Sequence, residues 1–205
     1  YKRIGEGDKG LNTGGMGAIS PVPFVDAAMM QKVREHIVEP TINGLAKEAI
    51  DFKGFVFFGL INVGGNPMVI EYNVRLGDPE TEVVIPRIES DVLDWFALMH
   101  QQKLNLAEVT FDAQTATTVM VVSGGYPGDY TKGDEIVGVE NVEDCMAFHA
   151  GTALKNGKLV TNGGRVMAFT AKGDTKEKAL QKSYSAIAKI CFNGMYFRKD
   201  IGFDL

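Results

Sequence analysis

Cysteine is scarce: only Cys145 and Cys191 occur in 205 residues, far apart and without Cys-x-x-Cys spacing. A thiol-rich metal site and a disulfide framework are thereby set aside, and both thiols are expected to be free and buried. The three histidines, His36, His100 and His149, are dispersed, so no zinc site is expected from them. His149 is expected to satisfy a local hydrogen bond. No run rich in lysine and arginine is present, and the net charge is -5, which argues against a general nucleic-acid binder. No apolar run approaches the roughly 18 residues of a membrane span, and no signal peptide is visible. The expectation is a soluble, cytoplasmic protein with no membrane partner. An initiating methionine is also missing: the chain opens at Tyr1 inside a glycine-rich stretch, which predicts a piece of something longer.

What is present suffices for a core, since 45% of the residues are hydrophobic. Gly5-Glu6-Gly7-Asp8-Lys9-Gly10 matches G-x-G-x-x-G, but no strand of useful length can precede Gly5 and Gly14-Gly15-Met16-Gly17 opposes an immediate helix. A Rossmann site is therefore rejected. Asn12-Thr13-Gly14-Gly15 reads either as a loop whose amides face an anion or as a flexible terminus.

Asp26 is expected to cap a helix bearing Met29, Met30, Val33 and Ile37, with Pro40 breaking or kinking it before a second piece to about Ala49. Phe55–Val63 reads as a buried strand, and Gly64-Gly65-Asn66-Pro67 as the turn of a hairpin. The returning arm, Val69-Ile-Glu-Tyr-Asn-Val-Arg75, carries the chemistry. Alternation puts Glu71, Asn73 and Arg75 on one face and Ile70, Tyr72 and Val74 on the packing face. A carboxylate and an amide oxygen suit a hard cation held jointly with phosphates, and a guanidinium suits a phosphoryl oxygen or carboxylate. A solvated face is the plain alternative, although asparagine is depleted in strands and Gly77-Asp78-Pro79-Glu80 adds two carboxylates at the same end.

Thr81–Ile88 looks helical, and Ser90 can cap a further helix with Val92, Leu93, Phe96 and Met99, where Trp95 is expected to pack. A boundary is expected near residue 112. Beyond it, short strand-like runs at Thr117–Val122, Glu135–Val137, Ala147–His149, Lys158–Val160 and Arg165–Thr170 suggest a small barrel or sandwich. Asp174 with Glu177 makes a capping box for a closing helix bearing Leu180, Tyr184, Ile187, Ala188 and Cys191.

Six motifs in order, Asn12-Thr-Gly-Gly-Met-Gly17, Glu71-Tyr-Asn-Val-Arg-Leu-Gly-Asp-Pro-Glu-Thr81, Ser123-Gly-Gly-Tyr-Pro-Gly128, Phe148-His-Ala-Gly-Thr152, Thr161-Asn-Gly-Gly-Arg-Val166 and Arg198-Lys-Asp-Ile-Gly202, resemble the C-terminal half of the phosphoribosylamine-glycine ligase (glycinamide ribonucleotide synthetase) family of the ATP-grasp superfamily. The resemblance implies an α+β fold. Residues 1-112 would be the C-terminal part of an ATP-grasp catalytic domain, an antiparallel sheet with helices. Residues 113-205 would be a small β-rich domain closed by a helix.

The resemblance also implies an ATP-dependent carbon-nitrogen ligase of de novo purine synthesis, acting on glycine, 5-phosphoribosylamine and ATP through a glycyl phosphate, with Mg²⁺ or Mn²⁺. By resemblance, Glu71 and Asn73 are the metal ligands, Arg75 and Asp78 the catalytic residues, and Asn12, Thr13, Gly14, Gly77, Pro79 and Arg165 contact substrate, Arg165 through a ribose phosphate. For Arg165 a surface or structural role is the alternative. The ATP lobe would lie upstream of Tyr1. Phe55–Val63 holds no Asp or Glu where many ATP-grasp enzymes keep a further ligand, which argues against a second metal held wholly by protein.

Overall fold

A computed structural model describes residues 1–205. In chain order the elements are β1 (Arg3–Gly5), β2 (Lys9–Asn12), β3 (Gly17–Ser20), α1 (Ala27–Val33), α2 (Glu39–Lys47), β4 (Phe57–Val63), β5 (Asn66–Asn73), α3 (Thr81–Val84), α4 (Val92–His100), β6 (Thr115–Val122), β7 (Met146–His149), β8 (Thr152–Lys155), β9 (Lys158–Thr161), β10 (Arg165–Gly173) and α5 (Lys176–Ile187). The chain forms two compact units. The first is Tyr1–Ser20, Asp78–Val92 and Glu108–Asp204; the second is Pro21–Gly77 and Leu93–Ala107, with Leu205. β3, early in the chain, pairs with β6.

In the first unit β6 and β10 run antiparallel, with Val119 opposite Phe169 and Thr117 opposite Ala171. β3 and β7 flank them in the order β3-β6-β10-β7, and β8 and β9 make a separate hairpin. This order does not close. The four strands make an open sheet rather than the small barrel or sandwich expected from the strand spacing. α5 packs on β6 and β10 through buried Ala179, Ser183, Ala186 and Ile187. The other face meets α3 in a cluster of Ala18, Val83 and Ala116, and Met16 in a cluster with Met120, Val122 and Ala168. With both faces covered, β6 is buried from Ala116 to Val122 and loses the alternation of a one-sided antiparallel strand. Its hydroxyls are matched internally: Thr170 Oγ1 donates to Thr118 Oγ1 at 2.8 Å, and Thr117 and Ser183 share a bond of 3.2 Å.

Residues 1–16 form the β1–β2 hairpin and a bonded return, so the flexible-terminus alternative does not describe them. Gly5–Gly10 spans a 3-10 turn rather than the start of a helix, with Gly7 and Gly10 at φ of 62° and 82°. Arg198 fastens this hairpin to the end of the chain. Its guanidinium is fully buried, pairs with Asp8 at 2.6 Å and Asp200 at 2.8 Å, and donates to Arg3 O at 3.2 Å. The Tyr1 and Phe203 rings lie 5.2 and 5.7 Å from it. Burial opposes the charge on Arg198, but the two carboxylates outweigh it, and Arg198 in turn holds Asp200 below the usual carboxylate range.

In the second unit Asp26 caps α1, its Oδ1 accepting from Met29 N at 2.8 Å as the sequence suggests. Pro40 does not break the helix. A π-helical turn at Arg34–Val38, bonded from Glu39 N to Arg34 O, precedes it, and Pro40 falls in the first turn of α2, where a missing N–H costs least. The helix stops at Lys47, and beyond it Ala49 adopts φ of 53° while Ile50 N bonds back to Leu45 O. β4 and β5 are joined by Gly64 and Gly65, at φ of 57° and 80°, a two-residue turn that glycine favours. Asn66 and Pro67 belong to β5, not to the turn. The hairpin is also not the buried one expected. α1 packs on β5, yet Ile61, Val63, Ile70 and Val74 remain more than half exposed.

Ser90 Oγ accepts from Thr110 N at 2.7 Å. Cys145 is a half-buried free thiol donating to Thr170 O, pushed up to about 11 by burial, whereas Cys191 is free but exposed. No helix is long and apolar enough to cross a membrane.

Candidate active site

The sequence-predicted residues fall on both units. Glu71, Asn73, Arg75 and Gly77 belong to the second; Asn12, Thr13, Gly14, Asp78, Pro79 and Arg165 to the first.

On β5, Glu71 and Asn73 do share a face, and Asn73 Nδ2 donates to Glu71 Oε1 at 3.2 Å. A bulge sits just before them: Gly59 opposes Glu71 but Leu60 opposes Val69, leaving Ile70 as the extra residue. A Cβ at Gly59 would lie 2.8 Å from Glu71 Cγ, so only glycine there lets the carboxylate take this position. Arg75 departs from expectation. β5 ends at Asn73 and the chain bends at Val74–Arg75, so strand alternation no longer governs Arg75. Its Nη1 donates to Leu76 O at 2.8 Å. Ile70 and Val74, assigned to a packing face, are 65% and 74% exposed.

The donor set suits a hard cation. One carboxylate and one side-chain amide stand side by side, and turning the amide over would present Oδ1 where Nδ2 now bonds the carboxylate. No group of three or more His, Cys, Asp or Glu gathers to hold a metal, so this pair suits an ion that completes its shell with water and phosphate oxygens.

In the first unit Arg165, at the start of β10, grips Asp78 with two parallel bonds of 3.0 Å, Nη1 to Oδ1 and Nη2 to Oδ2. Nη1 also donates to Gly14 O at 3.0 Å. The N–H of the same glycine donates to the Tyr126 hydroxyl at 3.0 Å, so the two polar groups of one residue are tied to two side chains. Gly15 has to be glycine, with φ of 126° and a Cβ that would lie 2.3 Å from Pro79 Cδ, whereas a Cβ on Gly14 would lie 2.8 Å from Arg165 Cζ and displace the guanidinium. Thr13 fixes the loop, its Oγ1 donating to Lys2 O and accepting from Gly15 N. Asn12 pairs with Arg3 in the hairpin. His149 Nδ1 shares a bond of 2.9 Å with Thr152 Oγ1, the local role expected of it.

Two residues escaped the sequence reading. Tyr126 lies within Ser123-Gly-Gly-Tyr-Pro-Gly128, where the sequence alone gives its hydroxyl no role. Glu82, on α3, keeps a buried Oε2 with no hydrogen-bond partner, and burial pushes its carboxyl above the usual range, with Asp78 adding to the shift. Its only sequence signal is a third carboxylate within Asp78-Pro-Glu-Thr-Glu82.

Residues 1–81 match the profile of the phosphoribosylglycinamide synthetase ATP-grasp (A) domain, and residues 116–204 that of the phosphoribosylglycinamide synthetase C domain. The chain belongs to the phosphoribosylglycinamide synthetase family. A phosphoribosylamine--glycine ligase of Synechocystis sp. is 46% identical over 98% of the chain, which covers 49% of that relative. The crystal structure of phosphoribosylamine--glycine ligase from Thermotoga maritima superposes with a TM-score of 0.86 at 39% identity, over 98% of this chain and 49% of that one. The chain thus spans about half the length of these relatives. The biotin carboxylase domain of a thermophilic 2-oxoglutarate carboxylase, at 14% identity and a TM-score of 0.63 over 89% of the chain and 41% of that one, shares the fold. Within the phosphoribosylglycinamide synthetase family profiles, the Glu71–Asn73 pair and the Gly14 loop lie in the A-domain match, and Arg165 and Tyr126 in the C-domain match.

Proposed function

We propose that these residues form the C-terminal half of an ATP-dependent ligase that joins glycine to 5-phosphoribosylamine. A glycine carboxylate oxygen attacks the γ-phosphorus of ATP, giving glycyl phosphate and ADP. The amine of phosphoribosylamine then attacks the acyl carbon, the C–O bond to phosphate breaks, and loss of a proton leaves the amide glycinamide ribonucleotide. The observation that carries this reading is the pairing of the Glu71 carboxylate with the Asn73 side-chain amide on one face of β5, with Glu71 kept clear by Gly59, in a chain of this family.

Glu71 and Asn73 would hold Mg²⁺ or Mn²⁺, and such an ion would supply charge neutralisation for the transferring phosphoryl group. Arg75 turns from Leu76 O to the phosphoryl or acyl phosphate oxygens. The turn containing Gly77, Asp78 and Pro79 borders the substrates, and Arg165, with Asn12, Thr13 and Gly14, contacts the ribose phosphate. The ATP-grasp part extends to about residue 112 and the smaller C-terminal domain follows. ATP is held by a lobe outside these 205 residues, so this chain alone is inactive. The test is ATP-dependent formation of glycinamide ribonucleotide by a protein carrying this chain together with the family's ATP-binding half. Glu71→Ala is expected to abolish turnover without loss of folding. Full activity in that variant, or turnover by the 205-residue chain alone, overturns the corresponding part of the reading.

A further inference from the structure

Arg165 presents its fork to a carboxylate of its own chain. The two parallel bonds to Asp78 use the same pair of N–H groups that bidentate recognition of a phosphate uses, and the O–C–O of a carboxylate matches the O–P–O of a phosphate in that fork. The pair is open to solvent on one side: the Asp78 side chain is 51% exposed, against 21% for Arg165, so Asp78 is the partner that can turn out to water. A third donor stands ready. The Tyr126 oxygen accepts from Gly14 N, which leaves its O–H proton for another group. The Tyr126 ring is fixed edge-on to Tyr130 at 6.2 Å, and a Cβ on Gly164 would come within 2.2 Å of it, so the hydroxyl is held in place. Gly14 bridges the two donors, its carbonyl on Arg165 and its N–H on Tyr126.

We propose that Asp78 is an exchangeable occupant of a sugar-phosphate site, and that an incoming phosphate monoester displaces it, taking two N–H groups of Arg165 and the hydroxyl proton of Tyr126. The inference rests on the reading of Arg165 as a phosphate contact, and adds Tyr126 as a binding residue and Asp78 as the group that sets affinity. The Gly14 carbonyl stays on Arg165 throughout and keeps the guanidinium in place while its partner changes.

The test is titration of this chain with ribose 5-phosphate, followed by calorimetry and by the Arg165 guanidinium N–H signals in NMR. Asp78→Asn keeps the size of the side chain, removes its charge and is expected to tighten binding roughly two- to fivefold. Glu80→Gln removes the same charge from the same turn and controls for general electrostatics; its gain is expected to be smaller. Tyr126→Phe is expected to weaken binding roughly three- to tenfold, with near-ultraviolet circular dichroism reporting that the fold persists. Arg165→Met is expected to abolish binding. If Arg165→Met binds like the parent, the phosphate reading of Arg165 itself falls. If Arg165→Met loses binding while Asp78→Asn gains no more than Glu80→Gln, or Tyr126→Phe binds unchanged, the exchange falls and the parent reading survives. Absence of binding by the parent chain and by Asp78→Asn alike overturns both.

Discussion

Glu82 is the residue whose placement is worst served by its surroundings, with one carboxylate oxygen buried and unmatched. Its raised pKa fixes the sign of the pH effect. The folded state holds the Glu82 proton more tightly than the unfolded chain. The penalty is therefore absent below the ordinary glutamate value of about 4.3 and develops as pH rises through the folded value. Glu82→Gln is expected to raise the Tm by roughly 2 °C at pH 7 and to leave it unchanged at pH 4, as calorimetric scans at the two pH values would show. Gly59 makes the complementary point, since its lack of a side chain is what Glu71 needs. In a protein that carries the ATP-binding half, Gly59→Ala is expected to push Glu71 aside. That would lower kcat roughly 10- to 100-fold and raise the Mg²⁺ concentration needed for half-maximal rate, with little change in Tm.

Among the elements, the start of α5 separates a correct reading from one that is a residue out. Asp174 and Glu177 resemble a capping box, but the cap is Thr175, whose Oγ1 accepts from Lys178 N, while Asp174 pairs with Lys178 and Gln114. Thr175→Ala is expected to cost about 1 kcal/mol and 2–4 °C of Tm, and Asp174→Ala distinctly less, in parallel thermal melts. α1 with its Asp26 cap, the β4–β5 hairpin with its paired glycines, and the long runs of β6 and β10 were legible, because their signals lie within a few residues. β1, β2, β3 and β8, of three or four residues each, were not, since pairing partners elsewhere make them strands. The candidate site divides the same way. Glu71 and Asn73 are two apart on one strand, whereas Arg165 meets Asp78 across 87 positions with no local signal. The face of Arg75 is not legible from strand alternation, because β5 stops at Asn73 and the chain bends at Val74–Arg75.

For the molecule as a whole, Arg198 binds the first residues to the last. Arg198→Met would strand Asp8 and Asp200 beside a buried apolar group, at a cost of about 3 kcal/mol, discounted because Asp8 is half exposed, and a fall in Tm of roughly 6–12 °C. Asp200 is held below its usual value, so the stability it contributes is present above the unfolded value of about 4 and lost as pH falls through the folded one. The gap between variant and parent is accordingly expected to narrow in melts below pH 4. The two units also interleave along the chain: the second is inserted into the first as Pro21–Gly77 and again as Leu93–Ala107. The first unit is therefore a host interrupted twice by its guest. Its sheet cannot be finished during synthesis until both interruptions have been made, because β3 precedes them and its partner β6 follows them. Amide exchange should then sort into two classes, with guest amides able to open while β6 and β10 stay protected, whereas every opening of the host sheet passes through the strands on which the guest is strung.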